Sequence, residues 1–434
     1  ATTFNDATFA DVAMFNEAQF HSQLELWATI TGKADFSKAT ISGTAQLRGT
    51  YETALICNYT QFERDVVLWN STIHGKAEFL AAEFGGAVDC GHTTFDGVTR
   101  FCETTFREGG TFTHAQFDDA VRFRRIRAPG AVIDLQGAHL ASGIIELDTE
   151  QAHFDLTAAT LGSVTLTTPP SATLESDPVA YLRFQRTDFA GFDFGGHAAM
   201  FKPEWRLDTL AASWPSSAIP SNADALERYA QLEDTYLRAK SGATNAGHNR
   251  AASEFFVHEM RARRRQHATL FRRGIRRALV DAPSSLGGYA AAPVVGLGRT
   301  ATDLFRAAVP GVDRTVPKRT ETPAWQAGYR WLGNATLGVI TGYGERPQRP
   351  VVASMATVGV FAVGYWLLGV TPAAAAPVGL GYVLLSVQSF ITFILGSSPV
   401  GAGFGPQLLS AFEGFIGAFL IAVFVFSLTR SIHR

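Results

Sequence analysis

The chain has 434 residues, 46% of them hydrophobic and 18% charged, with a formal net charge of −2. That near-neutral total conceals a division: residues 1–200 carry 25 acidic and 13 basic side chains, and the remainder carries 14 and 24. A single uniform domain is excluded, and an acidic module, a basic middle and an uncharged end are expected instead. Cys57, Cys90 and Cys102 form neither a CxxC pair nor a zinc spacing, so they point to no disulfide framework and no metal site. No signal peptide leads the first module, which is expected to stay in the cytoplasm.

Large apolar residues recur through the first 125 residues at spacings that alternate between 5 and 6. Phe4, Phe9, Phe15 and Phe20 begin the series, and Phe36 and Ile41 continue it. After a less regular patch it runs Phe62, Leu68, Ile73, Phe79, Phe84, Cys90, Phe95, Phe101, Phe106, Phe112, Phe117, Phe123. The composite period is 11, which neither the helical nor the strand period produces. It predicts a solenoid in which each side of a coil sends one large apolar residue to a central axis. Small residues stand two places earlier, as in Ala7-Thr8-Phe9, Ala34-Asp35-Phe36, Ala77-Glu78-Phe79 and Ala115-Gln116-Phe117.

This pattern resembles the pentapeptide-repeat family, strongly over 1–125, more weakly from Leu135 to Leu166, and again at Phe184, Phe189 and Phe194. The resemblance implies a right-handed quadrilateral β-helix over 1–200, with Phe central and Ala as the small inward residue. Cys57 and Cys90 fall in the stacking series and are expected to fill the core rather than react. Some members of that family use an acidic surface to mimic DNA. A membrane tail makes a poor soluble inhibitor, and solvation of a repeat surface accounts for the acidity.

Residues 201–281 read as a helical connector. Ser221 or Asn222 is the expected N-cap of a helix whose apolar stripe is Leu226, Tyr229, Leu232 and Tyr236. Gly242 to Gly247 reads as a turn, and 251–280 as a second, strongly basic helix. The pair resembles the connector between repeats and pore in prokaryotic pentapeptide-repeat membrane proteins. Arg261, Arg263, Arg264, Arg265, Arg272 and Arg273 are expected to face anionic lipid, at about 1 kcal/mol per charge near the surface, or an acidic neighbouring subunit. No groove-reading motif supports a nucleic-acid partner. Residues 282–349 read as a linker followed by an interfacial helix around Trp325, Tyr329, Trp331 and Leu332.

From Pro350 to Thr429 the sole charged residue is Glu413. Residues 351–370 and 408–428 are each long enough to cross the roughly 30 Å hydrocarbon core of a bilayer. Between them, 380–399 is apolar but bracketed by prolines. Arg346 and Arg349 flank the first span, and Arg430 and Arg434 flank the second. Two spans place all four arginines on the cytoplasmic side, as the positive-inside rule prefers, so the middle segment is expected to re-enter the membrane without crossing it.

The outline resembles the two-transmembrane potassium-channel family over 350–434, which implies an oligomer, four subunits being that family's number. Ile340-Thr341-Gly342-Tyr343-Gly344-Glu345 imitates a potassium filter but precedes the first span, where it is expected to form a membrane-entry turn. The position that corresponds to the filter holds Phe393, Ile394, Leu395, Gly396, Ser397 and Ser398, without the Tyr-Gly pair or an acidic residue. Potassium selectivity is therefore not carried over, because a dehydrated ion needs stacked rings of carbonyls.

Gln388, Ser389 and Thr392 are the expected anchors of the pore helix. Glu413, Gly417, Leu420, Phe424 and Leu428 share one face of the second span and are expected to form the inner pore and its gate. A lone intramembrane carboxylate must face a pore, water or a hydrogen-bond partner. No nucleophile–base pair, phosphate-binding loop or metal motif appears, so no enzyme and no cofactor are expected. The expected function is an oligomeric, cation-conducting pore-loop channel in the cell membrane, with N-terminal module and C-terminus cytoplasmic. The alternative is a non-conducting, membrane-anchored scaffold whose repeats bind a partner.

Overall fold

The computed structural model describes residues 1–148, 152–172, 174, 176–215, 224–280, 324–344, 346–371, 378–392 and 403–432. Its N-terminal part is a β-solenoid of about 7 turns. Successive coils pair in parallel: Thr50 meets Thr72, Thr72 meets Thr94 and Thr94 meets Gln116, each a step of 22 residues. One coil is therefore two of the 11-residue units. The large apolar residues separate into columns that climb from coil to coil. Phe62, Phe84 and Phe106 form one, with ring centroids 5.1 Å apart at both steps. Phe79, Phe101 and Phe123 form another, at 4.7 and 5.2 Å with planes only 4° apart. Ile73, Phe95 and Phe117 form a third, and Leu68, Cys90 and Phe112 a fourth; all are buried. Offset-stacked rings at this separation add about 0.5–1.5 kcal/mol per pair beyond their burial.

The small inward position serves a second purpose. Thr60, Thr93 and Thr104 occupy it, are fully buried, and donate to Phe36 O, Leu68 O and Phe79 O at 2.7–2.8 Å. The 5-residue sides turn through a left-handed residue, and these recur every 11 positions: Tyr59, Asn70, Ala81, His92, Glu103, His114 and Arg125, with φ between 51° and 59°. Left-handed backbone costs a non-glycine residue roughly 1–2 kcal/mol. The ladder offsets this, because Tyr59, Asn70, Ala81 and His92 each donate their N–H to the following coil at 2.7–2.9 Å. Cys57 and Cys90 are buried in the columns, where burial pushes both thiols up.

The last coils are closed by aromatic packing. Phe192 and Phe194 meet α1 (Ala198–Phe201), whose Phe201 stacks on Trp205. A helical hairpin docks there: α2 (Ala225–Asn245) and α3 (Asn249–Val280), rich in strong helix formers. Asp224 caps α2, its carboxylate accepting from Leu226 N, while Ser221 and Asn222 lie outside the described residues. Gly247, at φ 77°, turns the chain into α3. Phe255 of α3 packs on Phe194 at 4.8 Å, and a Cβ on Gly242 would lie 2.4 Å from Phe189 O. Lys240 pairs with Glu259 at 2.6 Å, and Arg263 bridges Glu233 and Glu259 at 2.8 and 2.9 Å.

Two of the histidines at this joint have shifted pKa values. His153 is buried between Tyr181 and Trp214, and His258 stacks on Tyr236 at 4.8 Å while its Nε2 lies 2.8 Å from Glu204 O. Burial lowers the pKa of both from 6.5. Below about pH 6.5 the unfolded chain binds protons that the folded joint refuses, so stability is complete above that pH and declines beneath it, by at most about 1.4 kcal/mol per pH unit for each histidine. Thermal melts followed by tryptophan fluorescence should give a lower Tm at pH 5.5 than at pH 7.5, with a smaller drop in His153→Gln. Equal melting temperatures at the two pH values would contradict this.

The remaining helices among the described residues are α4 (Ala324–Ile340), α5 (Gln348–Leu367), α6 (Val378–Phe390) and α7 (Phe404–Ile432). By length and composition α5 and α7 could each cross a membrane, whereas α6, with 13 residues, is too short. Gly369, at φ 65°, ends α5. The linker expected at 282–322 lies outside the described residues.

Candidate functional site

The lone charge of the C-terminal region organises a site between three helices. Glu413, in the middle of α7, is 0% exposed. Its Oε2 accepts from Tyr365 Oη of α5 at 2.7 Å, and its Oε1 is bonded to Ser386 Oγ of α6. Ser386 Oγ also lies 2.9 Å from Val358 O of α5. One helical turn away, Ser410 Oγ of α7 donates to Ser389 Oγ of α6 at 3.1 Å. A buried polar group is tolerated when satisfied, and each side chain here meets a partner on another helix.

Glycine completes the contact. A Cβ on Gly417 would stand 2.1 Å from Phe390 O, so the last turn of α6 rests directly on the α7 backbone. Ser410, Glu413, Gly417, Leu420 and Ser427 are all buried, and their spacing defines one face of α7. The opposite face leaves Phe412, Phe415, Phe419 and Phe426 exposed by 46–64%. On α6, Leu380, Val383, Leu384 and Val387 make a second exposed apolar stripe.

The expected site residues are distributed as follows. Glu413, Gly417 and Leu420, expected to line an inner pore, are buried within the chain, Glu413 and Gly417 against α5 and α6. The physical reason is that a carboxylate and a bare backbone find their complements in hydroxyl donors and a carbonyl. Phe424 is half-buried and Leu428 exposed. Among the expected anchors, Ser389 joins α7, Thr392, just past the end of α6, donates to Gln388 O, and Gln388 is exposed. Phe393 through Ser398 lie outside the described residues. Sequence reasoning missed Ser386 and Tyr365; the one signal was that a carboxylate in an apolar stretch needs donors, and it did not say which hydroxyls supply them.

The basic cluster also divides. Arg263 is spent on Glu233 and Glu259, and Arg273 on Asp224. These two therefore hold the hairpin together, whereas Arg265 and Arg272 are exposed. Arg261 and Arg264 are half-buried and face the turn between α4 and α5.

The molecule thus combines a β-solenoid with a helical region in which two helices are long and apolar enough to cross a membrane. No family model matches the chain, and neither a curated protein nor a solved structure matches it significantly.

Proposed function

We propose that the chain is one subunit of an oligomeric pore-loop ion channel, conducting cations, with a right-handed quadrilateral pentapeptide-repeat β-helix on its cytoplasmic side. The observation that carries this reading is the Glu413 clamp. It holds a helix too short to span a bilayer between two that are long enough, which is what a re-entrant pore helix requires. The C-terminal end of α7 lies beside the start of α5, Ser427 Oγ donating to Gly344 O at 3.1 Å, as two antiparallel spans with both basic ends in the cytoplasm would place them.

One subunit with two spans cannot enclose a pore. The exposed apolar stripes of α6 and α7 supply surface for like subunits and for lipid, and four copies is the favoured number. Arg265 and Arg272 are exposed, and in this reading they meet anionic headgroups. The second reading, a non-conducting scaffold anchored by the same helices, is favoured by one feature: Phe393 to Ser398 offer neither threonine nor a Tyr-Gly pair for a carbonyl ladder. Cross-linking of the detergent-solubilised protein separates a pore from a lone anchor. A ladder ending at a closed oligomer, tetramer foremost, is expected, and a strict monomer would exclude the pore.

A further inference from the structure

The turn that imitates a potassium filter has another use. Gly342, Tyr343 and Gly344 all have positive φ, at 57°, 63° and 83°. Three consecutive left-handed residues, one of them tyrosine, form a strained connection that persists only when its surroundings hold it. It is held from three sides. Thr341 Oγ1 accepts from Gly344 N at 2.9 Å, Arg349 Nη1 donates to Gly338 O at 2.8 Å, and Ser427 of α7 donates to Gly344 O.

Between this turn and α3 lies a cavity of about 350 Å³, lined by Arg261 and Arg264 of α3 and by Tyr343, Arg346 and Arg349. Four guanidinium groups line it without a carboxylate among the described residues. Arg261, Arg264 and Arg346 have no ion-pair partner among the described residues, although Arg263, next to Arg264, has two. Tyr343 is 8% exposed, and its hydroxyl has no hydrogen-bond partner among the described residues. Burial raises its pKa, so the phenol remains a donor. Arg261, Arg264 and Arg349 are half-buried and Arg346 is exposed; like charges this close repel, and a buried unpartnered hydroxyl is costly. Both penalties vanish when an anion with several acceptor oxygens enters.

We propose that Arg261, Arg264, Arg346, Arg349 and Tyr343 form a binding pocket for a phosphate-ester group, whose occupancy is transmitted to the C-terminal end of α7 through the Gly344–Ser427 bond. Arginine forks match tetrahedral phosphate oxygens bidentately, and the tyrosine hydroxyl adds a neutral donor. The ligand bridges α3, which is continuous with the solenoid-docked hairpin, to the turn from which α5 begins. Phosphate is the common chemistry of two sources, a membrane lipid headgroup and a soluble phosphorylated metabolite. The proposal rests on the geometry of the turn and does not depend on conduction.

Native mass spectrometry of the full chain tests it, with phosphatidic acid offered in one arm, glycerol 3-phosphate in the other, and phosphatidylcholine as the lipid control. Arg264→Gln/Arg346→Gln should weaken binding about a hundredfold, roughly tenfold for each charge-assisted contact. Arg250→Gln/Arg276→Gln, which removes the same charge from exposed positions of α3, should leave binding within about twofold, as expected for distant surface charges. Arg264→Lys/Arg346→Lys keeps the charge, folds as the parent does, and should still weaken binding, because lysine cannot bind bidentately. Hydrogen exchange at 424–432 should slow when the phosphate binds, and in Ser427→Ala binding should persist while that slowing is lost. Pocket-dependent retention of either phosphate compound supports the proposal and identifies the source. Equal loss in the two glutamine variants, full retention in the lysine variant, or retention of neither compound would overturn it.

Discussion

Glu413→Ala is expected to separate α6 from its neighbours. The carboxylate accepts from Tyr365 and Ser386, one donor on each adjoining helix, and is fully buried. Truncation removes both acceptors at once. Tyr365 Oη is left without its acceptor, at about 1–3 kcal/mol, Ser386 Oγ keeps only Val358 O, and a cavity the size of a carboxymethyl group opens beside them. A combined loss on the order of 3–5 kcal/mol is a large fraction of the 5–15 kcal/mol that holds an ordinary domain together. Thermal melts in detergent should show the helical region unfolding well below the parent temperature while the solenoid transition is unchanged. Glu413→Gln, which keeps the shape and one acceptor, should retain most of that loss as stability. A melt for Glu413→Ala that coincides with the parent would remove Glu413 from its assigned role.

Gly417→Ala should be as disruptive for a steric reason. The added methyl would stand 2.1 Å from Phe390 O, and backbone offers no rotamer through which to move away. Either α6 lifts from α7 or α7 bends, and overpacking of this kind costs about 1–3 kcal/mol or more. The displacement falls on the last turn of α6, immediately before Phe393–Ser398, so any current carried by the assembled protein should be lost even where the protein still folds and oligomerises. Gly359, which has open space around its Cβ position in α5, is the control: Gly359→Ala should leave melting and oligomeric state unchanged. Wild-type behaviour of Gly417→Ala would mean that α6 does not rest on α7.

The two halves of the molecule were legible to different degrees. The solenoid announced itself because its architecture writes a period into the sequence: every 5 or 6 residues one side chain must reach the axis, and only large apolar residues serve. The left-handed corners carried no such mark. Tyr59, Asn70, Ala81, His92 and Glu103 share a backbone conformation and no chemistry, and glycine, the usual signal, is absent from that series. Glu413 stood out as the one charge in an apolar stretch. Its partners did not, because serine and tyrosine are ordinary in such stretches and become legible only once α5 and α6 are beside α7. Arg273 read as a free cation because its carboxylate, on Asp224, lies 49 residues away in sequence; of the two partners of Arg263, Glu233 lies 30 residues away, whereas Glu259 stands one helical turn earlier and was there to be read. The Gly-Tyr-Gly turn was legible as a turn, but the arginine pocket required α3 to return to it from about 80 residues earlier.

The central claim is that these helices assemble into a conducting pore, and recording from the purified protein in planar bilayers tests it most directly. The account predicts discrete cation currents from the wild-type protein and silence from Gly417→Ala at equal incorporation. Silence from the wild-type protein in every cation and at every voltage, with the oligomer intact, would contradict it and leave the membrane-anchored scaffold.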